Sequence, residues 1–136
     1  MSIHINYADM QYLEYLAAHD THVGKAMLEK KIRQKEIIIA RMGDVCIGWL
    51  RFGYFWDAIP FMNMLFLDED YRGKGHGAKL VAFWEKEMKA AGHAIVMTST
   101  LSSEQAQFFY RKLGYTDSGC LLLENEALEI VFSKGI

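Results

Sequence analysis

The stretch from residue 72 to residue 77 carries the residue types with the clearest chemistry. It reads Arg72-Gly73-Lys74-Gly75-His76-Gly77 and comes directly before an amphipathic segment. A helix that begins there would leave its first N–H groups unpaired and carry a partial positive charge at its N-terminus. Phosphate oxygens are natural partners for such donors, and glycine lets the backbone approach them closely or adopt positive φ. The segment therefore predicts a pyrophosphate-binding loop, with Arg72 and Lys74 adding positive charge.

Two common nucleotide motifs fit this loop poorly. A P-loop needs serine or threonine after its lysine, whereas Gly75 follows Lys74. A dinucleotide fingerprint has the spacing G-x-G-x-x-G after the first strand and an acidic residue about 20 positions further on. Here the spacing is G-x-G-x-G after the fourth predicted strand, and His93 stands at the position of the acid. At this point an ordinary glycine turn into a helix remains the alternative.

Other reactive residue types form no recognisable constellation. His19 and His22 flank Asp20, but a third metal ligand is missing, so surface histidines are the preferred interpretation and no metal is expected. Cys46 and Cys120 stand in apolar strands and are predicted to be buried thiols. The sequence contains no G-x-S-x-G elbow and no adjacent Cys/His pair, so a covalent nucleophile is not expected.

Seven short segments have the alternation or the β-branched content that is typical of strands. They are Ile3–Tyr7, Glu36–Arg41, Val45–Tyr54, Phe61–Leu67, Ala94–Thr98, Cys120–Leu123 and Leu128–Ser133. Gly43-Asp44 is a turn signal between the second and third strands, and the last two strands are expected to turn near Asn125. Gly48 and Gly53 indicate a bulge or a close backbone approach inside the third strand.

Four helical segments stand among these strands: two after the first strand, one after the fourth and one after the fifth. The predicted caps and stops are Asp9 for the first helix, Asp20 or Thr21 for the second, Gly92 at the end of the third, and a capping box of Ser102 and Gln105 for the fourth. The third helix should bury Leu80, Trp84 and Met88. Phe61–Leu67 is apolar on both sides except at Asn63, which is typical of a central strand. The order predicts a mixed sheet with helices on its faces.

Composition limits the classes of protein that the chain can belong to. Its 136 residues are 51% hydrophobic and 24% charged and include one proline, which predicts a single domain over residues 1–136. The net charge of -2 lacks the basic surplus of a nucleic-acid binder. Two cysteines are too few for a disulfide scaffold, and no apolar stretch approaches the length of about 20 residues that spans a bilayer. We therefore expect a cytoplasmic protein with no nucleic-acid or membrane partner.

The glycine loop resembles the acetyl-CoA signature of the GNAT superfamily of N-acetyltransferases, Q/R-x-x-G-x-G/A. A second block, Ala106-Gln107-Phe108-Phe109-Tyr110-Arg111-Lys112-Leu113-Gly114-Tyr115, resembles the family's A-x-x-F/L-Y-x-x-x-G-F/Y helix. The order of elements also matches, so the resemblance covers essentially all 136 residues. It implies an α/β (α+β) fold with a mixed, mostly antiparallel sheet of six to seven strands, flanked by about four helices.

The resemblance also implies a set of site residues. The backbone of Leu65, Phe66 and Leu67 would pair with pantetheine, and an N–H group there would polarise the thioester carbonyl. The amides from Arg72 to Gly77, and that of Ala78, would hold the pyrophosphate of acetyl-CoA, the cosubstrate. Tyr110 would protonate the leaving thiolate, although a core aromatic is the alternative. Seven residues before Tyr110, family members often carry an asparagine that contacts the cofactor; here that residue is Ser103, whose side chain has less reach.

The acceptor is less defined by the sequence. The family reaction is direct attack by an amine, which implies an N-acetyltransferase acting on a primary amine of a small molecule or peptide. Aromatic residues near Trp56 could line an acceptor pocket, form core or make a homodimer surface, and Asn63 stands on the strand that often carries the family's base. Asp57 is the candidate base. Two alternatives remain open: a non-enzymatic acyl-CoA sensor of the same fold, and a structural dimerisation module.

Overall fold

Strands and helices follow one another along the chain in the order that the sequence predicts. The structure, a computed structural model, describes residues 2–124 and 126–136. Within these ranges the strands are β1 (Ile3–Tyr7), β2 (Ile37–Met42), β3 (Val45–Phe55), β4 (Ile59–Leu67), β5 (Ile95–Leu101), β6 (Thr116–Leu121) and β7 (Glu129–Gly135). The α-helices are α1 (Leu13–His19), α2 (Lys25–Arg33), α3 (His76–Ala90) and α4 (Ala106–Lys112). The predicted turn near Asn125 lies outside the described residues.

The strands form a sheet with the order β1-β2-β3-β4-β5-β7-β6. The pairs β1–β2, β2–β3, β5–β7 and β6–β7 are antiparallel, whereas β4 and β5 are parallel. This arrangement confirms the predicted fold class, a mixed and mostly antiparallel α/β sheet with helices. The chain divides into two compact units, and both β4 and α3 contribute residues to each unit.

The first unit comprises the described residues up to Phe52 together with Met64–Phe83. Three consecutive isoleucines, Ile37 to Ile39, are at most 3% exposed and belong to β2. β-branched side chains favour strands because they pack well on a pleated surface. Leu16 of α1 and Leu28 of α2 join Ile37 and Ile39 in the core, where both leucines are fully buried.

Two helix starts in this unit test the predicted caps. Asp9 accepts a hydrogen bond from the backbone N–H of Gln11 at 3.0 Å, so its capping role is confirmed for the 3-10 turn Met10–Tyr12 that leads into α1. The α-helix α1 itself begins after Tyr12 and has no side-chain cap. The prediction that Asp20 or Thr21 caps α2 is wrong, because Gly24 precedes that helix and makes no side-chain cap. Asp20 instead ends α1, is 1% exposed and accepts a 2.8 Å hydrogen bond from Nε of Arg51. A buried guanidinium needs such an anionic partner.

The second unit comprises Gly53–Asn63 and the described part of Trp84–Ile136. The whole length of β5 pairs with β7, and the buried Phe132 of β7 belongs to this unit's core. Glu85 accepts hydrogen bonds from the Tyr115 hydroxyl at 2.8 Å and from Nζ of Lys134 at 2.9 Å. This pair of contacts satisfies a carboxylate that is only partly exposed.

β6 is an edge strand of the sheet, and all six of its residues are exposed. The prediction of two buried thiols is therefore wrong for Cys120, which lies on β6. Cys46 at the start of β3 is half-buried. The apolar neighbours of Cys120 suggested burial, but an edge strand without a covering layer leaves such residues in water.

Gly48 marks the point where β3 lies closest to the last residues of β4. A Cβ at Gly48 would collide with the carbonyl oxygen of Phe66 and lie 3.0 Å from a side-chain carbon of Leu67. Beside it the β2–β3 register shifts, because Ala40 pairs with Gly48 but Arg41 pairs with Cys46. The predicted bulge and close backbone approach are both confirmed at this residue.

We expect Gly48→Ala to lower the free energy of unfolding by about 3 kcal/mol, the upper end of the usual overpacking cost, since the obstacle is backbone. The matched control is Gly24→Ala, where no atom lies within 4 Å of the added Cβ, and its cost should stay below about 1 kcal/mol. Urea unfolding midpoints of both variants measure the difference. Equal midpoints would contradict the close approach of the two strands.

Candidate functional site

A loop of eight residues joins the end of β4 to the start of α3. It leaves β4 with the Asp68 N–H donating to the Ile47 carbonyl at 2.7 Å. A 3-10 turn over Glu69–Tyr71 follows, and the glycine-rich segment then leads into α3 at His76. The loop is thus fixed to β3 at its start and to a long helix at its end.

The glycines of this loop are used in two different ways. Gly73 has φ +74° and Gly75 has φ +85°, a conformation that other residues rarely adopt. Apart from the glycines and their chain neighbours, no atom of the described residues lies within 4 Å of a Cβ built on either one, so both face open space. Gly77 lies inside α3 and is not among the positive-φ residues. The predicted need for positive φ therefore holds for Gly73 and Gly75 but not for Gly77.

The backbone N–H groups from Gly73 to Ala78 donate no hydrogen bond to the residues that the structure describes. The first amide to find a partner is that of Lys79, which donates to the Gly75 carbonyl at 3.2 Å. Unpaired amides at a helix N-terminus, together with the helix dipole, form a natural anion site. These donors fit a pyrophosphate.

Both cations of the loop are held by nearby backbone. Nε of Arg72 donates to the Leu67 carbonyl at 2.7 Å, and the guanidinium lies 5.6 Å from the centre of the Phe66 ring. Nζ of Lys74 donates weakly to the Asp70 carbonyl at 3.4 Å. Because both side chains are exposed, their charge is available to a ligand at the loop. The predicted residues from Arg72 to Ala78 thus lie together on one loop and helix start.

Leu65, Phe66 and Leu67 are half-buried residues at the end of β4. The Phe66 ring stacks on Trp49, with centroids 4.6 Å apart and planes 27° apart, which orients this end of the strand. Their predicted pairing with pantetheine stays a prediction.

Tyr110 projects from α4 into the core of the second unit. It is 6% exposed, and its ring meets Tyr115 and Phe132 at centroid distances of 5.8 and 6.0 Å. Burial raises the pKa of Tyr110 to about 12, although its hydrogen bond with Thr98 opposes that rise. Such a phenol stays protonated near neutral pH, as donation requires, but its raised pKa makes it a weaker acid than an exposed tyrosine. Its predicted role as the acid stays a prediction.

Thr98 is the residue of this unit that sequence reasoning missed. It is 1% exposed, its Oγ1 donates to the Met62 carbonyl at 3.0 Å, and its side chain hydrogen-bonds Tyr110. It therefore links the buried phenol to the part of β4 that pairs with β5. Thr98 follows the apolar residues Ile95–Met97, so a polar side chain continuing a buried strand was the available signal.

Stability should fall steeply at alkaline pH. Burial raises the pKa of Tyr15 and Tyr115 as well as that of Tyr110 above the usual value near 10. A raised folded-state pKa gives stability that is complete below the unfolded pKa and is lost as pH rises through the folded pKa. For Tyr110 that window is about pH 10 to 12. Thermal melts from pH 8 to 11.5 should show the loss, with a shallower slope in Tyr110→Phe; equal slopes would contradict the raised pKa.

Ser103 lies before α4 and is exposed. The predicted capping box of Ser102 and Gln105 is wrong, because Gln105 occupies the N-cap position and no side-chain cap is formed. The Gln107 amide instead donates to the carbonyls of Ser102 and Glu104, both at 2.8 Å. A longer amide side chain inside the helix thus satisfies the acceptors of this turn, and contact of Ser103 with a cofactor stays a prediction.

The three predicted acceptor residues belong to the second unit. Trp56 and Asp57 form the turn between β3 and β4, and Asn63 is an exposed residue of β4. Asp57 is exposed, and its predicted role as the general base stays a prediction.

In residues 2–124 and 126–136, no group of three His, Cys, Asp or Glu side chains could hold a metal ion. No helix in the described part of the chain has the length and apolar character needed to cross a bilayer.

Solved structures with the same fold cover nearly the whole chain. A GNAT family acetyltransferase from Bacillus cereus ATCC 10987 has a TM-score of 0.82 at 19% identity, covering 99% of this chain and 98% of its own. The PaiA N-acetyltransferase from Thermoplasma acidophilum, in complex with coenzyme A, has a TM-score of 0.81 at 18% identity and full coverage of both chains (100% and 100%). Arabidopsis thaliana Naa50, in complex with the bisubstrate analogue CoA-Ac-MVNAL, has a TM-score of 0.82 at 17% identity, also covering 100% of both. At such identities the likeness shows the fold.

The family is identified by a match to the amino-acid sequence. No curated protein matches the chain significantly. A family model described as an acetyltransferase (GNAT) domain matches residues 33–117, a range that includes the glycine loop and Tyr110. Because this match covers more than half of the chain, the protein belongs to the GNAT acetyltransferase family.

Proposed function

We propose that the protein transfers an acetyl group from acetyl-CoA to a primary amine, as a single catalytic domain over residues 1–136. The observation that carries the proposal is the run of unpaired amides from Gly73 to Ala78 at the start of α3. Six consecutive donors beside two cations suit a ligand with several phosphate oxygens. Family membership supplies the acyl donor with that chemistry.

Binding of acetyl-CoA would use three groups of residues. The amides from Gly73 to Ala78 would hold the pyrophosphate, with Arg72 and Lys74 adding charge-assisted contacts. The backbone of Leu65–Leu67 would pair with pantetheine, and a strand N–H there would stabilise negative charge on the thioester oxygen. Ser103 would add a contact near the start of α4.

The reaction in this proposal is direct acyl transfer. The amine nitrogen forms a bond to the acetyl carbon, the C–S bond breaks, and the sulfur leaves as a thiolate that takes the proton of the Tyr110 hydroxyl. The nitrogen loses one proton to water, and solvent returns a proton to Tyr110. Because an alkylamine has a pKa near 10.4, its neutral form costs about 4–5 kcal/mol at pH 7.

The acceptor class is proposed on the same grounds. One relative was solved with the bisubstrate analogue CoA-Ac-MVNAL, and another relative is an N-acetyltransferase. We take the acceptor to be an amine of a small molecule or of a peptide. An exposed acidic residue, Asp57, is compatible with a cationic acceptor.

A panel of amines tests the proposal directly. The full-length protein is incubated with acetyl-CoA and diamines, amino acids, or peptides with free N-termini or lysines, and CoA-thiol release is followed. Turnover with at least one amine class, scaling with enzyme concentration, is the expected result. Without any amine, CoA at 100 times its Kd should stabilise the fold by about 2.7 kcal/mol. Stabilisation without turnover would favour the acyl-CoA sensor, and no stabilisation would favour the structural module.

A further inference from the structure

The turn between β3 and β4 is built from residues that strain it. The Ala58 N–H donates to the Phe55 carbonyl at 3.1 Å, which closes a four-residue turn around Trp56 and Asp57. Trp56 has φ +55° and Asp57 has φ +58°. Two-residue hairpin turns with two positive φ values are normally Asn-Gly, Asp-Gly or Gly-Gly, because a Cβ is unfavourable there. A tryptophan in the first position lowers the stability of the hairpin.

The same turn also exposes a large apolar surface. Trp56 is 79% exposed, and its ring lies 4.6 Å from that of Phe55, which in turn stacks 6.2 Å from Phe61. We call Phe55, Trp56, Asp57 and Phe61 the aromatic tip. A strained turn that exposes apolar side chains does not stabilise the folded state. Such a combination is typical of an interaction site.

The charge of the tip indicates what it binds. Between Arg51 and Arg72 the sequence contains no lysine or arginine. The Asp57 carboxylate is exposed and forms no ion pair with any residue that the structure describes. Indole and phenyl faces attract cations, most strongly when a carboxylate stands beside them. The tip is therefore complementary to a guanidinium or ammonium group, and its missing cations disfavour an anionic membrane surface.

We propose that the aromatic tip binds a lysine- or arginine-bearing segment of a partner protein, with the cationic group against Trp56 and Phe55 and paired with Asp57. The tip thus acts as a docking surface for a basic peptide. The inference goes beyond the proposed acetyl transfer, although both place a cationic group beside Asp57, and it is tested separately because it is measured as binding without acetyl-CoA.

The protein carries its own reporter for this binding. Trp49 and Trp84 are 2% and 0% exposed, so Trp56 is the tryptophan that water reaches. The probe is an arginine pentapeptide, blocked at both ends, added to the full chain at low salt; the control probe is its citrulline equivalent. We expect the arginine peptide to shift the Trp56 emission and to protect it from acrylamide quenching, and the citrulline peptide to do neither. No response to either peptide, or an equal response to both, would overturn the proposal.

Two variants separate the tip from the fold. Trp56→Asn with Asp57→Gly installs the turn sequence that this geometry prefers, so the melting temperature should rise by about 3–6 °C. The double variant lacks Trp56, so its binding is measured with an arginine peptide that carries a fluorescent label. It should bind this peptide about tenfold more weakly than the wild type does. Asp57→Asn alone should lose part of the affinity and its salt dependence. A double variant that binds the peptide as tightly as the wild type would refute the assignment, even if it is more stable.

Two other occupants are outcomes of the same experiment. Anionic phospholipid vesicles in place of the peptide should leave Trp56 emission unchanged. Emission should also be independent of protein concentration from about 1 to 100 μM, whereas a second copy seated on the tip would protect Trp56 as concentration rises. A response to vesicles or to self-association that exceeds the response to the peptide would overturn the proposal.

Discussion

Replacing Gly75 with valine is expected to abolish CoA binding while the protein stays folded. Gly75 has φ +85°, and a β-branched residue strongly disfavours that region. The loop would therefore relax to negative φ and rotate the neighbouring peptide planes, which turns their N–H groups away from the phosphates. Loss of two charge-assisted hydrogen bonds, each worth about 1.5–3 kcal/mol, would raise the Kd at least about 100-fold.

The fold should survive because no atom crowds the site. Nothing lies within 4 Å of a Cβ at Gly75, so the cost is the strain of one residue, about 1–2 kcal/mol. Gly92 is the matched control: it follows α3, has φ +98° and has the same open surroundings. Gly92→Val should lose similar stability and keep its affinity for CoA.

Calorimetric titration of CoA into both variants at one salt concentration makes the comparison. The salt must be fixed because contacts with phosphates weaken as ionic strength rises. Wild-type affinity in Gly75→Val would remove the glycine loop from the site. Equal losses in the two variants would mean that a general destabilisation, rather than the loop amides, explains the effect.

Features that depend on neighbours within one or two turns of chain were predictable from the sequence. The stripe Leu80, Trp84 and Met88 of α3 is buried at 0%, 0% and 4%, as the helical spacing requires. The Asp9 cap and the positive φ of two loop glycines follow from the same kind of local rule. Because the glycine loop is itself a local feature, half of the candidate site could be read before any fold was known.

Features that depend on partners far away in the chain were not predictable. The sequence predicted Asp20 as a helix cap, but its carboxylate accepts a hydrogen bond from Arg51, 31 residues away in the chain. Thr98 donates to the Met62 carbonyl, 36 residues away in the chain, and no local sequence pattern around either residue predicts this contact. A local capping preference amounts to about 1 kcal/mol, which a buried ion pair or a strand contact can exceed.

The turn at Trp56 and Asp57 was also not predictable, because its residues disfavour the backbone conformation that they adopt. Its sequence contains no glycine or asparagine at the two positive-φ positions, so turn propensity gives no signal there. The pairing of long strands imposes the conformation on residues that oppose it. A conflict between the local conformational preference of residues and the fold is expected at functional sites. This conflict supports the aromatic tip as a binding site.

Tyr110→Phe is expected to lower kcat by about 100-fold or more and to leave the Kd for CoA within about threefold. A positioned acid contributes 10²–10⁴ to such a step, and phenylalanine cannot supply the proton. The ring should keep its place, since phenylalanine retains the ring that packs against those of Tyr115 and Phe132. Loss of the hydrogen bond with Thr98 should cost about 1 kcal/mol of stability.

Tyr115→Phe is the control that separates catalysis from packing. Tyr115 is also a buried phenol, 3% exposed, and its hydroxyl donates to Glu85 at 2.8 Å. Removing that hydroxyl should destabilise the same unit by a similar amount and leave kcat near the wild-type value. If both variants lose activity equally, Tyr110 is a core residue and its role as the acid is excluded.

The pH profile gives the sharper readout of proton donation. Because burial raises the pKa of Tyr110 to about 12, the phenol stays protonated throughout the range from pH 7 to pH 9. The ratio of wild-type to Tyr110→Phe turnover should therefore be constant over that range. A ratio that collapses toward one as pH rises to 9 would show that the Tyr110 hydroxyl titrates within that range and would contradict the raised pKa.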